Sequence, residues 1–274
     1  MEIPSQLQPR RVKQTPSDLA RGFGAVVLMV LIAAGSQDLL AQQQTTLPVP
    51  KLPAADKVVD DYLKAIGGRN HLALIRDATY EWTIQLKDQL MGTARIHIKS
   101  PNSYRSEMTF GNGQIVWGTN SGSAWVHGLD GQLRTLTGAE SATARLQAIL
   151  EANHLLDFKK HSVMAKSISV EGQGSEPVCI VEFSTSDGAR LRYWFSLSSK
   201  LLIRIDDEAR RITTRFKDYR EQGTATKLLE PHNVSISPGD GGELTLLLEK
   251  VTYNSGLADS AFNPPRSGKG DNKD

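Results

Sequence analysis

Two periodicities divide the chain. Apolar and polar residues alternate from Ala78 to Leu136 and again from Ser162 to Tyr253, whereas Ala54–Ile66 and Thr137–Asp157 carry apolar residues at helical spacing. In the first block Tyr80, Trp82, Ile84 and Leu86 alternate with Thr79, Glu81, Thr83 and Gln85. Ala94, Ile96 and Ile98 repeat the pattern, as do Tyr104, Met108 and Phe110. Asn112-Gly113 and Asp130-Gly131 tolerate positive φ and predict turns, bracketing strands near Gln114–Gly118, Ser123–Val126 and Gln132–Leu136. The second block predicts strands at Ser162–Val170, Val178–Thr185, Arg190–Leu197, Leu201–Ile205, Arg210–Tyr219, Leu228–Ser237 and Glu243–Tyr253, with turns at Asp187-Gly188 and Asp240-Gly241-Gly242. Turns this short join antiparallel neighbours, not parallel crossovers.

Thr137–Asp157 is the one long helical pattern after residue 76, and strands flank it on both sides. Thr137 and Glu140 have capping-box spacing. Ala142, Leu146, Ile149, Leu150 and Leu156 form an apolar stripe, with Arg145, Gln147 and Glu151 off it, and Lys159 and Lys160 follow where cations favour a helix end. Upstream, Val58, Val59, Tyr62, Leu63 and Ile66 form a stripe that Gly67-Gly68 ends, and Arg69–Ile75 makes a short second turn. A helix with one apolar face between two blocks of strands must lie against a sheet. The expectation is an α+β fold: a strongly curved antiparallel sheet, an unclosed half-barrel, with helices covering its concave face. No linker composition follows the central helix, which argues against two domains.

Composition narrows the function classes. Of the formal net charge of +2, residues 1–41 supply +1, so the body is nearly neutral and lacks the basic field of a nucleic-acid binder. Cys179 is the only cysteine, which excludes an intrachain disulfide and a thiolate metal site. Arg10, Arg11, Lys13 and Arg21 precede an apolar run, Phe23–Ala34, of the length of a secretory core and short of a membrane span. Residues 1–41 therefore read as a signal peptide or N-terminal membrane anchor, 42–53 as a linker, 54–265 as the folded domain and 266–274 as a disordered polar tail. The body is expected in the periplasm or cell envelope, soluble or tethered by its N-terminus.

A search for chemistry finds no G-x-S-x-G elbow, H-E-x-x-H helix or phosphate loop. His154 and His161 lack ligand partners at metal spacing, and Asp206, Asp207 and Glu208 with Arg210 and Arg211 read as a solvated turn. No catalytic residue, metal or cofactor is expected. The conspicuous feature is apolar lining. Tyr80, Trp82, Ile84, Leu86, Ile96, Ile98, Met108, Phe110 and Trp125 share one alternating face in the first block, and Val181, Phe183, Tyr193 and Phe195 lead the second. A filled core and a lined cavity look identical in such a pattern. A cavity this apolar would take an acyl chain or a similar ligand.

Several features in order resemble the LolA/LolB superfamily of outer-membrane lipoprotein-sorting proteins, with its LppX and LprG relatives. They are Ala65-Ile66-Gly67-Gly68 closing the first helix, the P-x-x-x-R strand Pro101–Arg105, Gly122–Trp125, the central helix, Gly188–Phe195 as G-x-x-x-x-Y-x-F, Leu201–Arg204, and Val251-x-x-Asn254 with Phe262-x-Pro264-Pro265. The resemblance spans about residues 56–265 and implies a carrier, not an enzyme: a half-barrel wraps lid helices around a cavity for lipid or lipoprotein acyl chains. It implies Leu146, Ile149 and Leu150 as lid residues and the alternating faces as cavity wall, with Arg105 near the mouth. The ligand would be a lipid or acylated lipoprotein, and an inner- or outer-membrane protein would serve as partner. Two other readings stay open: an envelope sensor that binds a membrane partner on the same scaffold, and a hydrolase or isomerase using Tyr80, Tyr104, Tyr193 and Glu182.

Overall fold

The computed structural model describes residues 52–172, 176–222, 227–239 and 241–265. The signal or anchor at 1–41, the tail at 266–274 and all but the last two residues of the 42–53 linker lie outside them. Helices α1 (Ala55–Ala65) and α2 (Arg69–Leu72) precede β1 (Asp77–Leu86), β2 (Gln89–Lys99), β3 (Ser103–Phe110), β4 (Gly113–Thr119), β5 (Ala124–His127) and β6 (Leu133–Thr135). Helix α3 (Gly138–Ala152) and a 3-10 turn at Phe158–His161 follow. The chain then forms β7 (Met164–Glu171), β8 (Val178–Ser184), β9 (Arg190–Ser196), β10 (Leu202–Asp207), β11 (Ile212–Gln222), β12 (Leu228–Pro238) and β13 (Leu244–Tyr253).

All thirteen strands form one antiparallel sheet in the order β6-β5-β4-β3-β2-β1-β13-β12-β11-β10-β9-β8-β7. Each block is a meander, and the two meet where β1 pairs with β13, Ala78 opposite Tyr253 and Gln85 opposite Thr245. The sheet does not close: β6 and β7 are its free edges, and α3 is the segment that connects them. Curvature follows from contacts. Helix α3 touches β3 and β9, which stand seven strand steps apart in the sheet. At about 4.8 Å per step that is ~34 Å of flat sheet, against a helix about 10 Å across. Both strands reach one helix only because the sheet wraps around it. Bulges at Glu81/Trp82 and Ile84/Gln85 in β1 help bend it. Gly92 lets β3 approach, since a Cβ there would lie 1.9 Å from the Thr109 carbonyl oxygen.

The central helix is shorter than its pattern. It ends at Ala152, and His154, Leu155 and Asp157 take left-handed backbone conformations, so Leu156, Lys159 and Lys160 lie beyond it. Asn153 makes the stop: its Nδ2 donates to the carbonyls of Ile149 (2.7 Å) and Pro101 (2.5 Å). The capping box does not form, because the Thr137 side chain caps nothing and Glu140 pairs with Arg134 at 3.0 Å. Lys159 reaches Asp56 at 2.6 Å and so ties the turn after α3 to α1.

The main core lies between the helices and the sheet. Val59 and Leu63 of α1, Leu146 and Leu150 of α3, and Val181, Phe183, Leu191, Tyr193 and Phe195 of β8 and β9 are all buried in it. A second cluster, Trp82, Ile84, Ala94, Val234, Leu246 and Leu248, fills the sheet nearer the β1–β2 turn. Buried Asp77 locks the segment after β13 across the start of β1, accepting from Ser255 N (2.8 Å), Ser255 Oγ (3.0 Å) and Gly256 N (3.1 Å).

Candidate functional site

Between α3 and the sheet lies a cavity of about 280 Å3. This is about twice the ~150 Å3 of an apolar cavity that accepts benzene. Alternation builds the wall, because residues two apart share a strand face. Tyr80 and Trp82 come from β1, Ile96 and Ile98 from β2, Tyr104, Ser106 and Met108 from β3, and Trp117 from β4. Tyr193, Ile205, Phe216, Val234, Ile236 and Leu246 add the strands of the second block, and Gln147, Leu150, Glu151 and His154 descend from α3 and the turn after it.

The wall is apolar toward Met108, Ile236 and Leu246, but it carries polar groups elsewhere. Arg210 packs over the Trp117 ring at 5.1 Å and donates to Asp207 and to Gln147 Oε1. Gln147 in turn donates to Glu151 at 2.5 Å. Burial lifts the Glu151 carboxyl to about 7, against the opposing pull of Gln147 and Arg210. Burial likewise lifts Glu230 to about 7, although the hydroxyls of Tyr253 (2.7 Å) and Tyr80 (3.2 Å) donate to it. Burial pushes His154 down to about 4, so its ring is neutral at physiological pH.

Four buried side-chain polar atoms have no hydrogen-bond partner among the described residues: Trp82 Nε1, Ser106 Oγ, His154 Nε2 and Tyr193 Oη. All four belong to residues that line this cavity. Buried polar groups are satisfied almost everywhere in folded proteins, so four unsatisfied ones around one space set this cavity apart among the described residues.

Of the residues expected to form a site, the structure places Tyr80, Trp82, Ile96, Ile98, Met108, Leu150 and Tyr193 on the cavity wall. Ile84 and Phe110 belong to the second cluster, and Leu86 lies beyond it against Gly242. Val181, Phe183 and Phe195 are packed in the main core, where Phe183 meets Phe158 and Tyr193 edge to face. Leu146 and Ile149 line a separate, more polar hollow with Asn102, Arg145 and Asp187. Trp125 does not share the inner face. It pairs opposite Gly118, a register step away from Trp117, and its Nε1 donates to the Phe262 carbonyl at 3.3 Å. Arg105 is on that same outer side, 5.5 Å over the Trp125 ring and bonded to the carbonyls of Ala261 and Asn263, so it stands at no cavity mouth. Glu182 also faces outward, paired with Arg192 at 3.3 Å.

The sequence reading missed Glu151, Glu230, Asp207, Arg210, Gln147, Tyr62 and Tyr219, all on the wall. One signal was available: Glu230 shares a strand face with Leu228, which is fully buried. His154 and His161 line different hollows, and among the described residues no three His, Cys, Asp or Glu side chains converge as a metal site.

No family model and no curated protein matches the chain. Among solved structures, a LolA superfamily protein from Nitrosomonas europaea matches at TM-score 0.50 and 13% identity over 77% of this chain and 98% of its own. The chain has a LolA-like fold. Two further structures overlap the LolA-like region more loosely. A DUF1329 family protein from Desulfovibrio piger has TM-score 0.46 and 14% identity over 77% of this chain and 97% of its own. The lipoprotein LppX of Mycobacterium tuberculosis has TM-score 0.28 and 10% identity over 74% and 98%. Among the described residues of the LolA-like chain, no helix is long and apolar enough to cross a membrane.

Proposed function

We propose that this chain is a non-enzymatic carrier of the cell envelope, exported by its N-terminal segment, that holds the hydrocarbon of a lipid or acylated lipoprotein in the cavity under α3. The observation that carries the reading is the cavity itself, a partly open space with one apolar side and, among the described residues, four unpartnered buried polar atoms on its wall. A pure hydrocarbon would leave those atoms unsatisfied, and a small polar solute would gain nothing from Ile236, Met108 and Leu246. An amphiphile satisfies both. Each methylene moved out of water contributes ~0.8 kcal/mol, so a chain of even modest length binds well once its ordering cost is met. Helix α3 lies over one side of the cavity, so its movement would widen the exit, which gives the helix the role of a lid. The LolA-like fold supports the same reading.

Native mass spectrometry with lipid extraction tests it, on protein purified from an envelope fraction. A co-purifying acylated species near one per chain is the expected result. A clean unliganded mass that also ignores added single-chain amphiphiles with cationic, neutral and anionic heads would remove the carrier reading.

A further inference from the structure

Glu230 has an environment that the capture of hydrocarbon leaves unexplained. Tyr80 and Tyr253 donate to the same carboxyl oxygen, Oε1, and no donor among the described residues reaches Oε2. Among the described residues no Lys, Arg or His pairs with this carboxyl, although it lies inside the protein on the cavity wall. The rings of Tyr62, Tyr80 and Tyr219 line the cavity close enough for the Glu230 charge to act on each. The remaining charges do not help it. Among the described residues Arg210 is the only Lys or Arg side chain on the wall, and it is engaged by Asp207 and Gln147. With His154 neutral, the wall sets Arg210 against the carboxyls of Asp207, Glu151 and Glu230; the last two lose their protons at about pH 7, so above that pH the balance is negative.

A buried carboxylate without a counter-ion is costly, and tyrosine faces attract cations through their ring quadrupoles. We infer that the ligand of this cavity is an amphiphile bearing a positively charged nitrogen, which sits against Glu230 among the tyrosines while its hydrocarbon lies along the Met108 and Leu246 side. The ligand supplies the missing counter-ion, and the ring faces take up its flank. An anionic head would meet uncompensated carboxylates, and a metal ion would find one carboxylate where it needs several ligands. This inference rests on the carrier reading and narrows its cargo.

The test compares four ten-carbon probes on the full chain at pH 8, each below its micellar concentration: decylamine, decyltrimethylammonium, 1-decanol and decanoate. Calorimetric titration should show both cations binding at least about ten-fold more tightly than the alcohol and the carboxylate. Glu230→Gln should abolish that margin and leave the decanol affinity within about two-fold. The order of the two cations reports whether N–H donation or ring faces dominate, and either order supports the inference. Decanol or decanoate matching the amines on the unmodified chain would overturn it while leaving the carrier reading intact, and so would a margin that survives Glu230→Gln. If none of the four binds, both readings fail. The probe series on the unmodified chain decides the matter even if the variant does not fold.

Discussion

Tyr193 and Glu230 show how single atoms set the character of the cavity. Tyr193 is 1% exposed and its hydroxyl has no partner among the described residues. An unmade buried hydrogen bond costs about 1–3 kcal/mol, so Tyr193→Phe should leave the empty protein as stable or more stable while weakening the binding of an oxygen-bearing amphiphile. Thermal melts with and without ligand check both halves. A variant that melts well below the parent would show that the hydroxyl has a partner after all. Glu230 gives a pH signature. Burial raises its folded-state value from the ordinary 4.5 to about 7, so the native state keeps a proton that the unfolded chain releases. That contribution is full below about pH 4.5, declines as pH rises and is gone above 7, at about 1.4 kcal/mol per pH unit where it is steepest. Glutamine does not titrate. Glu230→Gln should therefore gain stability relative to the parent between pH 5 and 7 and hold a constant offset above pH 7.5. Comparing the two proteins cancels His154, His97 and His232, whose depressed values act in the opposite direction. Parallel curves would exclude the shift. These carboxyls were not legible in the sequence, because Glu151 on a helix reads as solvated until a curved sheet is known to pass beneath it.

Among the elements, the strands were legible and the helix face was not. Each strand was expected within a few residues of its place, because alternation and Asn-Gly or Asp-Gly turns mark strands locally. Trp125 went to the wrong face because its strand is only four residues long and a loop resets the phase after Thr119. On α3 the apolar stripe is wider than the cavity, so Leu150 meets the space while Leu146 and Ile149 face the other hollow. Leu150→Trp should fill the cavity and abolish binding of a ten-carbon probe in a protein that still melts cooperatively, whereas Ile149→Arg should leave binding within about two-fold. Binding that survives Leu150→Trp would place the ligand elsewhere. After β13, Asp77→Ala removes three bonds to Ser255 and Gly256. A loss of about 1–3 kcal/mol in denaturant unfolding is expected, since three hydrogen bonds to a buried carboxylate are lost.

For the molecule as a whole, the half-barrel was expected from strand number and the central helix, and the sheet order was not. Nothing local distinguishes Ala78 opposite Tyr253 from other pairings. The order nevertheless sets a gradient of stability. Hydrogen exchange should be slowest in β1, β2, β12 and β13 and fastest in β6, whose three residues are all exposed; uniform protection would contradict the unclosed sheet. The β1–β13 seam also has a meaning for biosynthesis. Its partners are separated by about 170 residues, so the middle of the sheet is the last part that a ribosome can complete. Until Leu244–Tyr253 has emerged, Trp82 and Ile84 have no second wall. A nascent chain of this protein is thus open along its own midline until the thirteenth strand has emerged, and until then its two meanders are free to move apart.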